Sequence, residues 1–141
     1  MTVNTLTLSL DTGWTCSYHQ RASDPRGPAR AEAVASLAAW ARDQQQADSP
    51  DAWLERSFTL RQVDYCVSYL LLIDSAPAGA EIHINGKAAG LYHPPGLGAP
   101  PFELDITLLV TLGANRLAFR VAGDLAGAFS GVRLRLAPCA A

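Results

Sequence analysis

The sequence is short of charge, short of cysteine and without any long apolar run. Charged residues make up 17%, and 11 Lys+Arg against 13 Asp+Glu leave a net −2. That balance offers no electrostatic footprint for nucleic acid or for an anionic membrane. The cysteines Cys16, Cys66 and Cys139 are odd in number and widely scattered. They do not make a disulfide framework, and they suit a reducing compartment, so a cytoplasmic address is expected. No stretch approaches the roughly 20 apolar residues that cross a bilayer, YLLLI at 69–73 being a strand's worth. The opening MTVNTLTLSLDTGW lacks a basic n-region and an apolar h-region, so no secretory signal is expected. Repeats, low-complexity tracts and interior boundaries are also absent. With 141 residues, 49% of them hydrophobic, residues 1–141 are expected to form a single domain around one core.

What is present is alternation. In NTLTLSL (4–10), Leu6, Leu8 and Leu10 interleave with Thr and Ser, which is the period of a half-buried strand. WLERSFTL (53–60), YCVSYLLLI (65–73), AEIHI (80–84), FELDI (102–106), RLAFRV (116–121) and VRLRL (132–136) read the same way, with a turn signal after most of them. Asn85-Gly86 is a strong hairpin signal, because both residues tolerate positive φ. LYHPPGLGAPP (91–101) is a stiff loop, its prolines unable to donate to a ladder. In YCVSYLLLI, Leu70 and Leu72 make the second face apolar too, so that strand needs cover on both sides.

One segment breaks the period. From Pro28 to about Gln46, Val34, Leu37, Trp40 and Ala41 recur at three- and four-residue spacing among alanines. Pro28 suits a first helical position, with Glu32 near the start and Arg42 near the end. An amphipathic helix over 28–46 is expected there, as cover for the second face of the 65–73 strand. The whole pattern predicts an all-β, antiparallel jelly-roll β-sandwich carrying that one helix.

Four motifs in order carry a family resemblance. They are WLERSFTL, AEIHINGKAAG, PFELDITLLVTLGANRLAFRV and GAFSGVRLRL. Together, over Trp53–Leu136, they resemble the N-terminal sugar-binding, galactose-binding-like sandwich of glycoside hydrolase family 2, whose members include β-galactosidases, β-glucuronidases and β-mannosidases. The resemblance implies a non-catalytic domain, since the family's catalytic carboxylates sit on a separate (β/α)₈ barrel of about 250 residues. It also marks departures. Ser130 stands where the family usually carries Arg, and the loop that brings a Trp and an acidic residue towards sugar is shortened here to GDLA, leaving Asp124 as its acidic residue.

Candidate chemistry is sparse. Glycoside hydrolysis needs two facing carboxylates. Glu103 and Asp105 share a strand face, but a solvated face plus a structural Asp of the Asp-Ile-Thr run explains them. Cys16 and His19 have C-x-x-H spacing without a second pair to complete a zinc site, and His83 and His93 add none. No catalytic residue, metal site or cofactor is therefore expected. Arg116, Arg120, Arg133 and Arg135 point outward on two strands, and would form a basic stripe if those strands are neighbours. Sugars stack on aromatic rings. Trp14, Tyr18, Trp53, Tyr92 and Phe129 are the available platforms; Trp53 and Phe129 match strand or core positions of the family. Tyr92 with His93 on the Pro-rich loop is the best exposed pair, and Tyr92, His93 and Asp124 are the expected carbohydrate contacts.

The expected function is that of a stand-alone, non-catalytic carbohydrate-binding sandwich, accessory to a glycosidase or binding a glycan weakly. The alternative is a protein-interaction or assembly module that has lost its sugar site, with a protein partner or a second copy bound instead. Membranes and nucleic acid are not expected partners.

Overall fold

The computed structural model describes residues 6–19, 32–42, 51–60, 67–96, 98–122 and 127–138. In chain order the strands are β1 (Leu6–Ser9), β2 (Trp14–His19), β3 (Glu32–Val34), β4 (Ala41–Arg42), β5 (Asp51–Leu60), β6 (Val67–Ile73), β7 (Glu81–Ile84), β8 (Lys87–Leu91), β9 (Phe102–Asp105), β10 (Gly113–Val121), β11 (Gly127–Ala128) and β12 (Arg133–Pro138). Every pairing is antiparallel. A four-stranded small sheet has the order β1-β12-β6-β9, and a six-stranded large sheet the order β3-β2-β5-β10-β7-β8. β4 and β11 make a short separate pair. The chain crosses between the sheets after β1, β5, β6, β8 and β9, and again after β10 by way of β11, so most neighbours in space are remote in sequence. This all-β arrangement fits the expected jelly-roll sandwich.

The inward period-two residues make one core. Tyr69, Leu71 and Ile73 of β6 bury in the same cluster as Ile82 and Ile84 of β7 and Leu117, Phe119 and Val121 of β10. Trp14, Phe119, Phe129 and Trp40 form an aromatic chain through it, with ring centroids 5.3, 4.8 and 5.7 Å apart. Offset and tilted pairs at such distances add to simple burial. The Trp14 indole N–H donates to the Leu10 carbonyl, so its one polar atom is satisfied inside.

No helix forms among the described residues of 28–46. Among the described residues of 28–46, Glu32–Val34 pairs with β2, residues 37–39 form a turn, and Ala41–Arg42 pairs with β11; residues 28–31 and 43–46 lie outside the described set. A single turn explains the misleading spacing. The Trp40 N–H reaches the Leu37 carbonyl and the Leu37 N–H reaches Asp11, so Leu37 and Trp40 enter the core three residues apart without a helix. Alanine-rich composition is a weak prior that edge pairing overrides. Nor does a helix among the described residues cover β6. Leu70 and Leu72 lie between β12 and β9, whose Arg135 and Glu103 join at 2.9 Å across that strand. Arg135 and Glu103 thus bridge the apolar strand from its two neighbours.

The turns are locked by their side chains. Asn85 and Gly86 adopt φ of 52° and 82°, the primed geometry of a two-residue hairpin. Asn85 donates to the Leu109 carbonyl and to Asn115 Oδ1, and its own Oδ1 accepts the Arg116 N–H. Asn115, 2% exposed, donates onward to the carbonyls of Thr111 and Gly113. The Asn85-Gly86 bend thus meets Asn115, tying the β7–β8 hairpin to the loop before β10 and to its first residues. At the small sheet, Gly131 sits at φ 62°, and a Cβ there would fall 2.0 Å from Asp74 Oδ2. Only glycine leaves room for the Asp74–Arg133 pair.

Candidate functional site

The large sheet's outer face carries a groove of about 620 Å³ over β5, β10 and β7. Its geometry follows from register. Outward residues alternate along each strand, so His83, Ala118, Glu55 and Thr15 form one cross-strand row. Glu81, Arg120, Trp53 and Ser17 form the next row, and Arg116 faces Ser57 on the other side. Ala118 is the low point. With only a methyl group between the larger side chains of β5 and β7, the pleated face dips there.

Trp53 and His83 close one end. Their ring centroids are 5.1 Å apart although their strands are separated by β10, so the indole leans over Ala118, which is buried. A charged cluster backs these rings. Arg120 donates to Asp51 at 2.5 Å and also to Glu81, which in turn stands 3.4 Å from His83 Nε2. Burial works to lower the Arg120 pKa, but the hydrogen bonds and charges of Asp51 and Glu81 outweigh it and hold the pKa above its ordinary value. Arg120 is therefore committed to the protein. His83 Nε2 is buried with no aligned hydrogen-bond partner among the described residues.

The other end is cationic and loosely held. Arg116 is 65% exposed, and its Nε lies 4.0 Å from Glu55, a separation worth little in water. Beyond Glu55, Ser57 and Arg116 a second hollow of about 340 Å³ continues past Arg56, Gly13 and Thr15. Arg56 is anchored there, donating to the carbonyls of Thr12 and Ser57. An aromatic wall, planar polar groups along the floor and an available guanidinium are the fittings of a polar-ligand site.

The residues expected to contact sugar fare differently. Tyr92 is 2% exposed and packs on Phe102 at 5.2 Å, so it is not the exposed stacking platform its Pro-rich surroundings suggest. Desolvation raises its pKa, as befits a phenol facing the core. The backbone explains the burial: Tyr92 exchanges bonds with Ala80 and Gly79, which pins the start of the loop to the sandwich. His93 is exposed, so the pair is split. Asp124 lies outside the described residues. Trp14 and Phe129 are core, whereas Trp53 is half-buried on the outer face.

The basic stripe also dissolves. Arg116 and Arg120 belong to the large sheet and Arg133 and Arg135 to the small one, facing opposite ways. Glu103 pairs with Arg135, while Asp105 accepts the Thr107 hydroxyl at 2.5 Å and its N–H at 2.9 Å. Those bonds from Thr107 hold the Asp105 carboxyl below its ordinary 3.8 and make it a turn-capping residue. Cys16 is buried, and among the described residues no three His, Cys, Asp or Glu gather as metal ligands. No helix among those residues is long and apolar enough to cross a membrane.

The same fold recurs in solved glycosidases. The FMN-binding β-glucuronidase from Facaelibacterium prausnitzii L2-6 matches with a TM-score of 0.68 at 21% identity, over 97% of this chain and 23% of that one. Bacteroides uniformis β-glucuronidase gives 0.67 at 20%, over 96% and 18%. The β-D-glucuronidase of Dictyoglomus thermophilum gives 0.67 at 15%, over 98% and 29%. No family model and no curated protein matches the sequence. At these identities the shared property is the fold. The chain is an antiparallel sandwich of a kind that glycosidases carry as one domain, and it spans 18–29% of the length of these three.

Proposed function

We propose that the protein is a non-catalytic, carbohydrate-binding sandwich that serves a glycosidase as an accessory, in a reducing, cytoplasmic setting. The observation that carries this reading is the groove of Trp53, His83, Ala118 and Arg116 on a sandwich shared with glycosidase domains. A stacking indole, a shallow floor and flanking donors and acceptors are what a pyranose needs. The Glu103–Asp105 pair supports no hydrolysis, because each carboxylate is engaged by a neighbour for structural reasons. Titration calorimetry with galactosides, glucuronides and mannosides tests the binding; measurable heat with one class, lost in Trp53→Ala, is expected. Silence towards all three overturns it. Turnover of aryl glycosides that disappears in Asp105→Asn overturns the non-catalytic part.

A second reading, an assembly module, is favoured by Leu108 and Leu112, 97% and 65% exposed on the loop between β9 and β10. They stand four positions apart in one loop, where apolar side chains left in water can be covered by a partner. A concentration-dependent mass in sedimentation, abolished in Leu108→Ser/Leu112→Ser, supports that reading; an unchanging monomer mass removes it.

A further inference from the structure

We propose that the groove is selective for acidic disaccharide units, with a neutral ring against Trp53 and a carboxylate-bearing ring at Arg116; this rests on the carbohydrate-binding reading. Length comes first. Trp53 faces Arg120 and Ser57 faces Arg116, so the backbone positions that carry the aromatic and cationic ends are four residues apart along the strands, about 13 Å. Two linked pyranoses match that backbone span, one lying on the indole and the other reaching the guanidinium.

Charge decides the rest. At the Trp53 end, Arg120 is already held between Asp51 and Glu81, so an incoming anion finds one cation and two carboxylates there. At the other end, the ion-pair partner of Arg116 among the described residues is Glu55, met loosely and in water, with Arg56 beside it in the adjoining hollow. Exchanging that Glu55 contact for a bidentate carboxylate costs little and gains a fork-to-fork pair. The groove is therefore polarised, and an anionic substituent is accepted at one end only. His83, its ring tilted against Trp53, backs the aromatic wall that the neutral ring meets.

Calorimetry with matched sugars tests this on the full chain. The probes are glucuronosyl-β-1,4-glucose, cellobiose (which differs only in lacking the carboxylate) and glucuronate alone. The acidic disaccharide is expected to bind at least about ten-fold more tightly than either other probe. Arg116→Gln should abolish the preference over cellobiose without moving the melting temperature, Arg116→Lys should keep part of it, and Arg135→Gln on the opposite face should keep all of it. Trp53→Ala should weaken both disaccharides, and Trp53→Tyr serves if the alanine variant does not fold. Equal binding of cellobiose and the acidic disaccharide, or a preference that survives Arg116→Gln, overturns the inference and leaves the carbohydrate reading standing. No heat from any of these probes or from the neutral glycosides above overturns both.

Discussion

The two outer faces of this sandwich answer the same problem in opposite ways. On the small sheet the apolar outward residues Leu70 and Leu72 lie under Arg135 and Glu103, whose charges pair across β6. Arg133 is likewise paired, with Asp74. That face is closed. On the large sheet a small residue, Ala118, occupies the centre, the aromatic ring lies to one side, and Arg116 meets a distant, partly exposed Glu55. The difference teaches that surface arginines of similar sequence context have different jobs. What separates them is the strand that runs beside them, not their own position in an alternating pattern.

The comparison can be broken or sharpened by substitution. The largest effect is expected where both sheets meet. Phe119→Ala removes a fully buried ring stacked between Trp14 and Phe129, and should cost about 3–5 kcal/mol in urea unfolding. Leu72→Ala on the closed face should cost about 2–3 kcal/mol, because that leucine is buried although it points outward. Asn115→Ala should cost about 1–3 kcal/mol, by orphaning the groups of Asn85 and Thr111 that bond to it. Arg135→Gln should lose less than about 1 kcal/mol, and Arg116→Gln still less, since both pairs are exposed. A stability loss for Arg116→Gln larger than for Arg135→Gln contradicts the contrast between an open and a closed face.

The smallest effect is one of pH. Thr107 holds Asp105 below the ordinary carboxylate value of 3.8 in the folded chain. A depressed folded pKa stabilises in full above the unfolded value, and the contribution disappears as pH falls through the folded value. Asp105→Asn should therefore be less stable than the parent at pH 7, with the gap closing below about pH 4 in melting curves.

Much of the fold was legible in the residues, because alternation dictates which side chains go inward whatever the partner strands are. Ile82, Ile84, Leu117 and Phe119, the apolar positions of two such alternating stretches, are all buried. The Asn-Gly bend was legible because few residues take positive φ. The segment around Leu37 was not, since one turn and a helix give the same three-residue spacing. The groove was largely hidden for a topological reason. Trp53, His83 and Arg116 lie on strands remote in sequence and adjacent only through β10. An outward Trp and an outward His, each in a period-two strand, were the available signal, but nothing local said they touch. Tyr92 misled in the other direction, because prolines mark a loop without saying which of its side chains turn inward.

Amide and indole NMR shifts during titration with glucuronosyl-β-1,4-glucose test the open-face claim most directly. The account predicts perturbation of the Trp53 indole and of the amides around His83, Ala118 and Arg116, with the core Trp14 indole and the strands of the small sheet unmoved. Shifts concentrated at residues 91–96, or on β6 and β12, would contradict it.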